Sequence, residues 1–403
     1  VESYGTEEAV IVDVVRTPLG KGKPTGALAG VHAVDLLALS LRALVARTGI
    51  DPGMVNDVIG GCVGQVGEQS TNIARSAVLA AGFPEHVPAT TVDRQCGSSQ
   101  QAAHFAAQGV MAGAYDVVIA CGVESMSRVP MGSAKMGQDH FGPMVAARYP
   151  EGLVSQGISA ELIAAKWKLG REVCDEFAAR SQHLAAAARD RGAFHDEIIP
   201  VEVSGADGRP VQIAADEGIR PSDRDSLSRL KPAFKDETLV QRFPQLQEWT
   251  VTAGNSSQLT DGAAAMLITS RRRADELGLR PRASFRSFAV IGDDPIYKLT
   301  GIIPATRAVL AKADLKLADI DLFEVNEAFA SVVLAWESEL GVDRDRINVH
   351  GGAIALGHPL GASGARLTAT LVNGMEQNGA RLGLQVMCEG GGMANAMIVE
   401  LNR

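Results

Sequence analysis

The sequence predicts an α/β fold with a mostly parallel or mixed sheet, made of two similar halves around an inserted segment. Three observations predict it. Short apolar runs bounded by Gly or Pro alternate with stretches of helical period. The last third repeats the order of elements of the first. Between them, from about Ser125 to Trp249, the texture turns Met-, Gly- and charge-rich with no clean period.

The elements follow in chain order. "AVIVDVVRTP" reads as a buried strand ending at a Pro turn. "AVDLLALSLRALVARTG" has apolar residues at helical spacing and stops at Gly49. "DVIGGCVGQ" and "ATTV" are strand-like, "SSQQAAHFAAQGVMAG" is an Ala-rich helix ending at Gly113, and "YDVVIACGVES" is a buried strand. In the inserted segment, "ISAELIAAKWKLG" and "VCDEFAARSQHLAAAARDRG" are amphipathic helices. A structureless loop of that total length is improbable in a compact chain, so the segment reads as a subdomain. In the last third, "ATRAVLAKADLKLADIDLFEVNEA" gives helix, acidic turn and strand again. "GHPLGASGARLTATLV" echoes "QCGSSQQAAHFAAQGV", and "GLQVMCEGGG" echoes "YDVVIACGVES".

Bulk properties narrow the function. The chain has 403 residues and a formal charge of −9, enough for two or three domains at roughly 100–200 residues each. Hydrophobic residues are 46% and charged residues 21%, a globular balance. The acidic balance argues against nucleic acid as partner, because phosphate-backbone binding needs a basic stripe. Five scattered cysteines without a CxxC pair are neither a zinc framework nor a disulfide scaffold, and fit a reducing cytoplasm. The start "VESYGTEEAV" is acidic and polar, unlike a signal peptide. No apolar run approaches the roughly 20 residues that span a bilayer.

Few residues have a context that suggests chemistry. Cys96 alone reads first as a buried thiol, since free Cys is among the most buried types. The Gly-Ser-Ser after it permits a tight turn into a helix, whose positive end would lower the thiol pKa. Such a turn would also aim N–H groups at a bound carbonyl oxygen. A nucleophilic Cys needs a base. His358 lies between Gly357 and Pro359, with Pro359 expected at the first helical position, and so holds in its half the place Cys96 holds in the first. His350, eight positions upstream, is a weaker candidate. Cys388 ends an apolar strand before three glycines, either a buried thiol or a second proton-transfer group. Asn326 and Glu327 in "FEVNEAF" read as a helix cap or as a polar anchor at the site. Cys62, Cys121 and Cys174 read as core.

Four motifs occur in order: "QCGSS", "NEAF", "GHPLGASGAR" and "CEGGG". Together with "VRTPLGK" and "VTAGNSSQLTDGAAA", they make the chain resemble the thiolase family along essentially its whole length. That resemblance implies a duplicated thiolase-like αβαβα layered fold with an inserted loop domain. The first half would cover 1–124, completed by about 250–272, with a CoA-binding loop domain at 125–249 and the second half at 273–403. It implies reversible Claisen chemistry, acyl-CoA plus acetyl-CoA in exchange with 3-oxoacyl-CoA plus CoA. Cys96 would carry the acyl group, His358 would activate it, and Cys388 would move the α-proton. Asn326 would hold a water in one oxyanion hole, and the N–H groups of Cys96 and Gly390 would form the other. Ser257, Arg220 and Ser226 would contact CoA. No metal or resident cofactor is implied, with coenzyme A and acyl-CoA acting as substrates. A homodimer or homotetramer is implied.

The chain departs from the pattern of acetyl-only members. "SQGISAE" places Ser155 and Gln156 where these often carry a His-Met pair, "GNSSQ" resembles degradative members, and "SSQQ" replaces the usual "SGLQ". These differences point to a longer or bulkier 3-oxoacyl chain, with the "SSQQ" stretch as a place to look for substrate preference. Two alternatives stand beside this reading. A carrier-protein-dependent β-ketoacyl synthase would be expected to use a second His at Asn326. A non-catalytic lipid-carrying relative would not need Cys96, His358 and Cys388 together.

Overall fold

The computed structural model describes residues 7–205 and 207–402. Most of the acidic start read above lies outside the described residues. Strand β1 (Ala9–Arg16) is buried along its length, and the short β2 (Gly20–Lys21) follows. Helix α1 (Ala33–Thr48) ends at Gly49, whose left-handed φ of 69° lets its N–H close onto the Val45 carbonyl. β3 (Asp57–Gly61), α2 (Ile73–Ala80), β4 (Ala89–Val92), α3 (Ser98–Met111) and β5 (Val117–Ser125) come next. The inserted segment carries α4 (Gly142–Arg148), α5 (Gln156–Lys166), α6 (Arg171–Asp190), the hairpin β6 (Val201–Ser204) and β7 (Pro210–Ile213), and α7 (Arg224–Ser228). β8 (Thr260–Ser270) returns the chain to the sheet, and α8 (Arg271–Glu276) follows. The second half holds β9 (Ala283–Gly292), α9 (Ile302–Ala313), β10 (Leu322–Val325), α10 (Ala330–Leu340), α11 (Ser363–Asn378), β11 (Leu382–Glu389) and β12 (Met393–Leu401).

The duplication is visible in strand order. The sheet runs β10-β11-β12-β9-β1-β8-β5-β3-β4. The halves share a parallel pair, β3 with β5 and β10 with β11, followed by two antiparallel pairings, and the first half adds a second parallel pair, β3 with β4. The halves meet where Val10 and Ile11 pair with Ser284 and Ala283. In the second half an isolated parallel bridge from Phe323 to Ile347 stands where β4 stands in the first.

Layering follows from which faces are apolar. α1 and α2 cover one face of the first half-sheet, with Leu36, Leu37, Leu41 and Leu44 against Val58, Ile119 and Leu267. α9 and α10 cover the second half-sheet, with Val309 and Trp336 against Phe323, Leu384 and Ile398. α3 and α11 lie between the halves, and their Ala102, Ala106, Ala365 and Ala369 pack among strands of both. Small residues allow this close approach, and each fully buried Val, Leu or Ile stabilises by about 1.5–3 kcal/mol relative to exposure. The order is helix, sheet, helix, sheet, helix, with the inserted segment beside it.

One buried ion cluster ties that segment to the sheet. The Arg16 guanidinium on β1 bonds Glu197 at 2.6 Å and both oxygens of Asp216 at 2.7 and 2.9 Å, all fully buried side chains. Burial opposes its charge, but the two carboxylates hold Arg16 protonated, with its pKa raised.

Candidate active site

The loops that leave β4, β10 and β11, with the segment between α10 and α11, carry the polar groups of the site. Cys96 follows β4 and precedes α3, whose cap is Gly97. Gln95 before it takes φ 49°, a conformation that costs a non-glycine residue energy and that clusters at functional positions. Asp93 holds this turn, accepting from the Gln95 N–H at 2.6 Å and from its Nε2. The Cys96 thiol packs with Leu360, Leu367 and Met387, so the turn at His358 and the end of β11 both reach it. The backbone N–H groups of Gly390 and of Cys96 itself favour the thiolate and lower the thiol's pKa.

Cys388 closes β11 at 1% exposure, near enough for a negative charge on Cys96 to raise its pKa. Glu389 follows. Its carboxyl is buried, and neither oxygen has a hydrogen-bond partner. It lies over Gly97, where any Cβ would collide with it.

Gly357 has φ 121°, and a Cβ there would strike Thr260, so the turn before His358 requires glycine. The His358 N–H bonds the Gln258 carbonyl at 3.1 Å. Its ring lies between Asn326 Nδ2, 3.4 Å from Nε2, and the Ser363 hydroxyl, 2.6 Å from Nδ1. Glu327 braces this loop, accepting from Ser181, Asn348 and the N–H of Ile354.

The electrostatics differ from the expectation. Burial pushes the Cys96 thiol up to about 12, with Glu389 adding to the rise and the two N–H groups opposing it. The helix start therefore does not give a resting thiolate, because desolvation of the thiolate outweighs the helix dipole. Burial, with Arg366 behind it, pushes His358 down to about 3, so the ring is neutral at rest. Cys388 is raised by burial first, then by Cys96 and Glu389. The resting arrangement is a neutral base beside two neutral thiols.

Three other expectations change. Asn326 and Glu327 do not cap a helix. The chain stays extended to Phe329 and α10 starts at Ala330, because Glu327 is used in the buried brace. Pro359 is not the first residue of the long helix; a single 3-10 turn, Leu360–Ala362, intervenes before α11. Ser98, Ser99 and Gln100 are fully buried: Ser98 Oγ donates to the Gln95 carbonyl inside the turn, Gln100 lies against Gly364 of α11, and Ser99 Oγ accepts from the Ala365 N–H at 2.9 Å. That stretch sets helix packing rather than a substrate wall.

His350 is buried against Phe194 and Gly374, with neither ring nitrogen partnered, and burial pushes it down to about 4. Ser257 lies beside the Asn326 loop, its N–H on the Ala328 carbonyl at 2.9 Å. Arg220 is half-buried, and the neighbouring Gly218 carbonyl accepts from Gln258. Ser226 caps α7 through a reciprocal pair with Asp223. Leu227 beside it lies against Gly254. The three candidate CoA residues thus sit on segments that meet around residues 254–258. Two groups at the site escaped sequence reasoning, Ser363 and Glu389. A Ser one turn beyond a buried His is a weak signal, and an acid ending an apolar strand gives a stronger one. Among the described residues no helix is long and apolar enough to cross a membrane.

A duplicated layered α/β fold with a buried Cys, a neutral His and a second thiol defines an acyl-transferring enzyme of the condensing type. The comparisons give the family. The thiolase N-terminal domain matches residues 9–272 and the thiolase C-terminal domain residues 279–401. The chain is 47% identical over 401 residues to the steroid 3-ketoacyl-CoA thiolase FadA6 of Mycobacterium tuberculosis, covering 98% of this chain and 94% of that one. It is 46% identical over 399 residues to a 3-ketoacyl-CoA thiolase of Klebsiella pneumoniae subsp. pneumoniae, covering 98% and 99%. The solved structure of the Bacillus anthracis acetyl-CoA acetyltransferase superposes with a TM-score of 0.88 at 37% identity, covering 99% of this chain and all of that one. The chain belongs to the thiolase family and is an acyltransferase that works by thiolysis or its reverse, Claisen condensation.

Proposed function

We propose that this thiolase cleaves 3-oxoacyl-CoA thioesters longer than acetoacetyl-CoA with coenzyme A, through an acyl group carried on Cys96. The observation that carries this reading is the buried Cys96 thiol packed at once against Leu360 of the His358 turn and Met387 of the strand that carries Cys388. In the first half-reaction His358 Nε2 takes the Cys96 proton as the sulfur attacks the 3-oxo carbon. The bond between C2 and C3 breaks, and the resulting acetyl-CoA enolate takes a proton from Cys388. In the second, the CoA thiol attacks the acyl-Cys96 carbonyl and gives its proton to the Cys388 thiolate. The departing Cys96 sulfur recovers its proton from His358. Oxyanion charge in the acyl-transfer steps falls on the Cys96 and Gly390 N–H groups. The enolate oxygen falls to His358 and a water held by Asn326.

The meeting, around residues 254–258, of the segments that carry Ser257, Arg220 and Ser226 supports CoA binding there. The similarity, at 46–47% identity, to a steroid 3-ketoacyl-CoA thiolase and a 3-ketoacyl-CoA thiolase supports 3-oxoacyl substrates longer than acetoacetyl-CoA. Five unpaired cysteines support a reducing, cytoplasmic setting. A homodimer or dimer of dimers completes the reading, testable by light scattering. The test of function is CoA-dependent loss of 3-oxoacyl-CoA across chain lengths. Faster turnover of a six- to ten-carbon substrate than of acetoacetyl-CoA is expected. A strict preference for acetoacetyl-CoA refutes the chain-length claim, and no cleavage of any substrate refutes the function.

A further inference from the structure

Beside Gly390 stand two side-chain amides that the acyl-transfer steps do not use. A Cβ built on Gly390 would lie 3.0 Å from Gln156 Nε2 and 3.0 Å from Gln95 Oε1. The two amides therefore flank a residue whose N–H favours the Cys96 thiolate. They come from separate elements, Gln95 from the turn before Cys96 and Gln156 from the first residue of α5. Both are partly exposed, so they stand at the mouth rather than in the core.

The polarity of Gln95 is fixed by its partner. Gln95 Nε2 faces both oxygens of Asp93, at 3.2 and 3.3 Å. A carboxylate only accepts, so the amide must present Oε1 on its free side, toward Gly390. The left-handed φ of 49° at Gln95, held by the 2.6 Å bond from its N–H to Asp93, keeps it there. Ser155 is occupied in capping α5, its hydroxyl accepting from the Ile158 N–H. Gln156 thus carries that segment's side-chain polarity into the site, while the ring of Phe234 packs against Gly157 behind it. The wall offers an acceptor and an amide with donors. The Asp93 carboxylate behind Gln95 disfavours an anionic substituent.

We infer that Gln156 and Gln95 make this thiolase selective for acyl groups bearing a neutral oxygen, hydroxyl or keto, within a few carbons of the thioester carbonyl. The inference rests on Cys96 being the acyl carrier. A plain alkyl chain would leave Gln95 Oε1 and the Gln156 amide facing it without a partner, whereas a hydroxyl satisfies the acceptor and a donor together.

The test follows Cys96 acylation by intact mass after acid quench, using acetyl-CoA, butanoyl-CoA and each enantiomer of 3-hydroxybutanoyl-CoA. The wild type should acylate roughly five- to tenfold faster with one hydroxybutanoyl enantiomer than with butanoyl-CoA. Gln156→Met should bring that ratio to about one or invert it, and Gln95→Met, on the opposite segment, should move it the same way. A wild-type ratio of one overturns the inference without any variant. So does a ratio that neither variant changes. The acetyl-CoA arm separates the two claims. An acetyl adduct without hydroxyl preference leaves the acyl carrier standing and removes the selectivity, and no acetyl adduct removes both.

Discussion

His358 Nδ1 lies 2.6 Å from the Ser363 hydroxyl, and that hydroxyl donates its own proton to the Pro359 carbonyl at 2.8 Å. The serine can therefore only accept from the ring. Nδ1 carries the hydrogen, and Nε2 keeps its lone pair, facing the Asn326 amide. The base is set in one tautomer before any substrate arrives.

Ser363→Ala removes that acceptor and leaves a buried N–H unpaired. Turnover should fall about ten- to a hundredfold with KM little changed. Ser363→Thr, which keeps a hydroxyl, should recover most of it. Steady-state kinetics of the two variants check this.

Cys388→Ala should separate the chemistry into its parts. Acylation of Cys96 by acetyl-CoA needs no α-proton, only a proton returned from Cys388 to the departing CoA thiolate, a far weaker base than an enolate, so it should persist at a reduced rate. Thiolysis and condensation should drop by about two to four orders of magnitude, the usual size of a lost acid–base group. A loss of acylation as large as the loss of thiolysis would contradict a role in moving the α-proton.

Glu389 makes the site sensitive to alkali. Burial raises its carboxyl to about 9, with Asp93 adding to the rise and Arg94 opposing it. Above that pH its charge would raise both thiols further. The acylation rate should bend downward near pH 9 in the wild type, and Glu389→Gln should remove the bend. The same shift has a stability consequence. The folded pKa lies above the unfolded value near 4.5, so the folded state holds a proton the unfolded state releases. Stability should fall as pH rises from about 4.5 to about 9, by up to ~1.4 kcal/mol per pH unit relative to Glu389→Gln. Denaturant titrations at several pH values check it.

Arg16→Met would leave Glu197 and Asp216 buried without their cation. Removing one partner of a buried pair costs about 3–5 kcal/mol. The variant should unfold at markedly lower denaturant, and Arg16→Met combined with Glu197→Gln and Asp216→Asn should recover part of the loss.

Much of the fold was legible because it is written twice. The order of helix, strand and Gly turn recurs in both halves, and a period of that length survives local errors. The turns at Cys96, His358 and Cys388 stood out because each pairs a reactive type with adjacent glycines. What the sequence hid depends on contacts made only in three dimensions. Asn326 reads as a cap or an anchor because both use the same residue type; the Glu327 brace, built from α6 and residues 348–354, rules out the cap. The thiol pKa was misread because a local rule, the helix end, was applied without the burial that outweighs it. "SSQQ" looked substrate-facing because it follows Cys96, but one turn of helix carries it into the contact with α11.

The central claim is the acyl group on Cys96. The most direct measurement incubates the enzyme with acetyl-CoA, quenches in acid and maps the adduct by peptide mass spectrometry. A single acetyl increment on the peptide bearing Cys96, absent from Cys96→Ser, is the predicted result. An adduct on another residue, or one that persists in Cys96→Ser, would contradict it.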